Sequence, residues 1–261
     1  MYMDPAAVMT MTMTMATATI TITATITSTE EQGPHSNEMN PPSSPSLVEH
    51  WSMALRRRVG TIWVMKALST MLGMAAFFPA YFWVLHHPFF PITLMPLTAL
   101  DRLIDFEPAA LPLYGLLWVY VALGPALMKN LRELVDYGLA TLALSVAGMG
   151  IFILWPTAVP VFAIDWTRHP SILFLKDVDL ASNACPSLHV AFAVFTAIWL
   201  ERLLRELKVP VTPRLINGFW CLGILYSTVA TRQHVTLDVL AGTVLGALVA
   251  AVHMWASRNS R

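Results

Sequence analysis

From Arg56 onward the chain is divided into about six apolar stretches, each near the roughly 20 residues that a helix needs to cross a bilayer. They cover residues 59–85, 111–128, 137–155, 188–204, 215–230 and 236–256. Of the 261 residues, 56% are hydrophobic and only 12% charged, which excludes an ordinary soluble domain. The expected fold is therefore all-α, a polytopic membrane protein with its transmembrane domain over residues 47–261. Basic and acidic residues number 16 each, so net charge points to no nucleic-acid partner.

Where the charges fall sets the expected orientation. Prolines 88, 91 and 96 separate the first span from the second, and prolines 156, 160 and 170 the third from the fourth, so these two loops share a side. Arg56, Arg57, Arg58, Lys129, Arg132, Arg202, Arg205, Lys208, Arg214, Arg258 and Arg261 all fall on the other side. Lys and Arg near span ends are retained in the cytoplasm, so both termini are expected there, in a plasma or inner membrane. Lys66 lies near the inner end of the first span, where its stem can snorkel to the interface. The outer side holds only Arg102, Arg168, Lys176 and Arg232, among acids such as Asp101, Asp165, Asp177 and Asp179.

Residues 1–46 form a low-complexity Met, Thr, Ala and Ile run followed by a Pro, Ser and Glu segment, with nothing to build a core, and are expected to be disordered. With no basic residue before Arg56, the run makes a poor signal peptide, and Met39 or Met53 is an alternative start. Cys185 at a helix mouth and Cys221 inside a span do not form a disulfide framework.

Polar residues at the mouths of the spans carry the chemistry. His189 heads the fourth span and His234 lies in the short turn before the sixth, both on the expected outer side. Asp238 stands four residues after His234, one turn deeper, where an unpaired carboxylate is costly. On a helix the two share a face, so the carboxylate can accept the Nδ1 proton and leave Nε2 free as a nucleophile. A phosphate ester also needs an acid for its leaving oxygen, a task that suits His189. Ser187 and the amides at this helix start can hold phosphate oxygens, and Arg232 or Arg168 can complete the cradle.

These residues resemble the type 2 phosphatidic acid phosphatases, which share a helical core with vanadium haloperoxidases. Pro186-Ser187-Leu188-His189 is similar to the family's Pro-Ser-Gly-His motif, with leucine for glycine. Ser227, His234 and Asp238 fit the spacing of its last motif, with Thr228 where the family has arginine. The first motif is missing, and Arg168-His169-Pro170 is its nearest candidate. The resemblance implies the family's helical bundle, with His234 as nucleophile, His189 as general acid, Asp238 as orienting carboxylate and no cofactor. The segment from Trp155 to Pro160, with Pro-Ser-Leu-His, looks like the inositol phosphorylceramide synthase branch, which moves phosphorylated head groups between lipids.

Three outcomes stay open. Water resolving a phosphohistidine makes a lipid phosphatase, a lipid hydroxyl makes a head-group transferase such as an inositol-phosphate transferase, and the missing motif leaves room for a silent membrane scaffold. The substrate in the first two is a lipid phosphate or phospholipid. Taken alone, His234 and Asp238 are explained about as well by a polar cap on the sixth helix; His189 is what tips the balance. A zinc site is the rival for the same residues, but metal enzymes carry denser ligand patterns, so no metal is expected. Gly242 and Gly246 form a small-xxx-small pattern that marks helix packing within the bundle.

Overall fold

The computed structural model describes residues 47–173 and 183–259. The segment 1–46, expected to be disordered, lies outside them, as do Lys176, Asp177 and Asp179. The described residues are helical, with only one two-residue strand pair, as hydrocarbon demands: backbone polar groups there must be satisfied within the segment itself. Helix α1 covers Leu47–Gly60 and α2 Trp63–His86. They are distinct because Ile62 takes a left-handed φ of 46°, strained for a β-branched residue, so the first span begins at Trp63 and not near Val59. Lys66 is buried, and its ammonium donates to the carbonyls of Arg58 and Ala126, which helix ends leave exposed.

After the short α3 (Ala99–Leu103) and a 3₁₀ turn over Pro108–Ala110, the second span is divided into α4 (Leu111–Gly115) and α5 (Leu117–Ala126). Helix α6 runs over Leu131–Leu154, α7 over Leu188–Glu206, α8 over Val211–Ala230 and α9 over Thr236–Asn259. Among the described residues four segments are long and apolar enough to cross a membrane: Trp63–His86, Pro108–Ala126, Leu131–Leu154 and Thr236–Ser257. Of the other two expected spans, α7 carries Glu201, Arg202, Arg205 and Glu206 in its last turns, and α8 is diluted by Arg214 and Asn217. Broad exposure of apolar side chains such as Leu72, Leu142, Phe219 and Leu248 fits a lipid-facing surface rather than a watery one.

Two glycines bring one helix close against the main chain of another. A Cβ on Gly242 would lie 2.4 Å from the Ser187 carbonyl oxygen, and one on Gly246 would lie 2.3 Å from that of Ala191. The small-xxx-small pattern thus brings α9 against the first turns of α7, within the bundle. The leucine that departs from the family motif has a matching glycine: Leu188 is buried, and a Cβ on Gly148 of α6 would meet its Cδ2 at 2.3 Å. Beyond the helix ends, β1 (Thr93–Leu94) pairs in parallel with β2 (Thr157–Ala158), joining the two proline-rich loops that the spans place on one side.

Candidate active site

The turn from α8 into α9 places His234. Gln233 N donates to the Thr228 carbonyl (3.1 Å) and Arg232 N to that of Val229 (3.0 Å), the paired bonds of a Schellman cap. Its left-handed position, usually glycine, is held by Arg232 at φ 58°. The guanidinium accounts for the choice, because it donates to the Asp101 carbonyl (2.9 Å) and the Ile104 carbonyl (2.7 Å) and lies 4.8 Å from the Phe162 ring centroid. Thr228, in the family's arginine position, contributes its main chain: its carbonyl also accepts the His234 N–H at 3.1 Å.

Two carboxylates fix the start of α9. Asp238 Oδ2 accepts the Val235 N–H at 3.0 Å, one arm of a capping box. Asp101 Oδ1 reaches across from α3 and accepts from both N–H (2.7 Å) and hydroxyl (2.8 Å) of Thr236. Burial raises the Asp101 pKa, but bonds from Thr98 and Thr236 outweigh it, leaving the carboxyl below its ordinary value. These bonds satisfy amides that a helix N-terminus otherwise leaves orphaned.

The start of α7 is tied to the same place. Ser187 N donates to the Asp238 carbonyl (3.0 Å), and the Ser187 side chain caps α7 by accepting from Val190 N (3.3 Å). Thr157 fixes the chain just upstream, its hydroxyl accepting from Cys185 N at 2.8 Å and its carbonyl from Ala184 N at 3.1 Å. Cys185, with Ala184, packs with Val235 in a small apolar cluster, and burial pushes its thiol up to about 11, so it is an inert packing group.

Together these ties bring residues 45 positions apart into one constellation. The His189 and His234 rings lie 5.9 Å apart between centroids. His234 Nδ1 is 3.6 Å from Asp238 Oδ2, an ion-pair distance longer than a hydrogen bond; such contacts often tighten only in the substrate complex. His234 is 6% and Asp238 0% exposed. Among the described residues both His234 nitrogens and Asp238 Oδ1 are buried without a hydrogen-bond partner, as are the amide nitrogens of Gln233 and Asn183. Native proteins rarely leave such atoms unsatisfied, and those on His234 and Asp238 make this constellation a candidate site for a polar ligand.

The remaining expected site residues sit differently. Ser227 is buried inside α8, its hydroxyl donating to the Ile224 carbonyl at 2.7 Å and its own carbonyl accepting from Thr231. Arg168 is exposed and paired with Asp165 at 3.1 Å. Sequence reasoning missed Tyr114, whose hydroxyl is 2.8 Å from His189 Nε2, and Trp118, 6.1 Å from the His189 ring. Nothing in the sequence connects positions 75 apart, but Thr98 and Asp101 carry a legible capping box that signals α3. Among the described residues no group of three or more His, Cys, Asp or Glu is placed to hold a metal ion.

Residues 134–261 match the family model of the PAP2 superfamily. The matched stretch contains His189, His234 and Asp238, and it supports the superfamily, whose members are phosphoesterases or phosphotransferases. With its apolar helices the chain fits a membrane phosphatase-type protein. No curated protein and no solved structure matches the chain.

Proposed function

We propose that this protein is an integral membrane enzyme that takes the phosphoryl group from a lipid phosphate ester through a phosphohistidine on His234. The observation that carries this reading is the approach of His189 to a buried His234 whose two nitrogens have no hydrogen-bond partner among the described residues. In the first step His234 Nε2 attacks phosphorus, a P–N bond forms, and the P–O bond to the lipid breaks with its electron pair on the leaving oxygen. His189 gives that oxygen a proton, and Asp238 orients His234 and offsets the positive charge it gains. In the second step an acceptor hydroxyl attacks phosphorus, the P–N bond breaks, and His189 takes back the proton.

Amides at the start of α7 hold the phosphate oxygens, aided by the Ser187 cap. Arg232 supports this cradle by shaping the turn, since its guanidinium already donates to two carbonyls. The basic residues define the cytoplasmic end and the two histidines the outer face, with six spans between. Water as acceptor makes the enzyme a lipid phosphatase, and a lipid hydroxyl makes it a head-group transferase of the inositol phosphorylceramide synthase kind. Purified protein given phosphatidic acid, or phosphatidylinositol with a ceramide acceptor, separates the two: free phosphate marks the hydrolase and a new phospholipid the transferase. A His234→Ala variant as active as the parent in both assays would overturn the reading.

A further inference from the structure

The hydroxyl of Tyr114 occupies the direction in which His189 must deliver its proton. Its oxygen lies 2.8 Å from His189 Nε2, and the two rings overlap at 4.8 Å between centroids, inclined by 30°. Tyr114 is buried at 4% exposure, whereas His189 is only half-buried and borders Trp118, which is 46% exposed on the surface of the second span. The imidazole is therefore approached from the side where Tyr114 and Trp118 stand. A buried tyrosine hydroxyl needs a partner, and His189 Nε2 serves as one.

We propose that Tyr114 is a catalytic residue that relays the proton from His189 to the leaving oxygen of the lipid. As the P–O bond breaks and its electron pair moves to the leaving oxygen, that oxygen takes the Tyr114 hydroxyl proton. The tyrosine oxygen in turn takes the Nε2 proton of the His189 imidazolium, so the tyrosine ends unchanged and the imidazole ends neutral. In the second step the same two protons run back as the acceptor hydroxyl attacks. The close approach of the two rings, 4.8 Å between centroids, holds the relay in register. This assignment rests on the reading of His189 as general acid and goes beyond it by naming the group that touches the substrate.

Leaving-group dependence tests it. An alkyl phosphate such as phosphatidic acid must lose a basic alkoxide and needs the proton, whereas p-nitrophenyl phosphate loses a stable phenolate and hardly needs it. Tyr114→Phe keeps the ring and removes the relay, so turnover of phosphatidic acid should fall by roughly a hundredfold. The loss on p-nitrophenyl phosphate should be much smaller, and that residual turnover also reports that the variant is folded. Equal losses on both substrates would make Tyr114 structural, and an unchanged or faster alkyl reaction would make its hydroxyl a mere placeholder; either result overturns the relay. His189→Ala, measured in parallel, separates this inference from the reading beneath it. If His189→Ala shows the selective loss and Tyr114→Phe does not, the relay fails alone; if neither does, His189 is not the acid.

Discussion

At the end of the bundle where α6 begins, Arg58 lies 3.1 Å from Glu133, and Lys129 lies 3.1 Å from the same carboxylate. Nearby at that end, Glu201 accepts from Arg205 and Arg214, each at 2.6 Å, and Arg202 pairs with Glu206 at 2.9 Å. At the other end of α7, a helix about 28 Å long at 1.5 Å per residue, His234 and Asp238 keep buried nitrogen and oxygen atoms unpartnered among the described residues. One end pairs its charged groups with each other, and the other leaves His234 Nδ1 and Nε2 and Asp238 Oδ1 buried without a hydrogen-bond partner among the described residues. Paired charges at helix ends define boundaries and contribute little stability apiece. Buried unpartnered groups lower stability, so their presence beside a tightly bonded frame argues for a ligand that the frame is built to receive.

Breaking the unpartnered end should have the largest effect. His234→Ala should lose phosphoryl transfer by roughly 10⁴-fold or more while retaining its melting temperature, because the imidazole makes no hydrogen bond among the described residues. A variant that melts much earlier would show that the histidine is a structural group after all. Asp238→Asn should cost less activity and more stability, because its carboxylate both caps α9 and faces His234.

Next in size is a change to the contact that holds the two histidines together. Gly242→Ala sets a methyl 2.4 Å from a main-chain oxygen of Ser187, an atom that cannot swing away. Helices α7 and α9 must then separate, at a cost of about 2 kcal/mol, and activity should fall with stability. Gly218→Ala, where a Cβ meets nothing within 4 Å, is the control and should leave both unchanged. A Gly242→Ala protein with normal melting and turnover would mean that the close approach does not position the site.

How much of this was legible in the sequence depended on whether a signal was local. The helices from Leu188 and Thr236 follow directly from runs of apolar residues, those from Leu131 and Val211 begin a turn or more before the expected 137 and 215, and the turn of four between His234 and Asp238 is visible as spacing. The break at Ile62 was not legible, because nothing in a β-branched residue announces a left-handed backbone. Arg232 was legible as a charge near the site but not as a Schellman residue, because its role depends on carbonyls 128 and 131 positions away. Tyr114 left no trace at all: a tyrosine in an apolar run looks like packing until the fold sets it against His189.

A more modest effect should follow from acid. Asp101 joins α3 to the start of α9, and its carboxyl lies below the ordinary value because the bonds from Thr98 and Thr236 outweigh burial. A folded-state pKa lower than the unfolded one stabilises the protein above the unfolded value, about 3.9, and that contribution disappears as pH falls through the folded value. Thermal melting in detergent should therefore be flat from neutral pH to about pH 4 as far as this group is concerned, then decline. Asp101→Asn should be less stable at neutral pH and should lose part of the acid decline. A variant with the parent's full acid decline would show that the latch does not titrate.

The smallest effect belongs to the paired end. Lys129 is half exposed and shares Glu133 with Arg58, so its removal leaves the carboxylate still partnered. Lys129→Ala should shift stability by less than about 1 kcal/mol and leave phosphoryl transfer unaltered. The contrast between the two ends makes this small number informative. If Lys129→Ala reduced turnover as His234→Ala does, charge pairing at the far end of the bundle from the histidines would have to be coupled to the chemistry. The bundle would then have to be understood as one switching unit, and no longer as a passive frame with a reactive end.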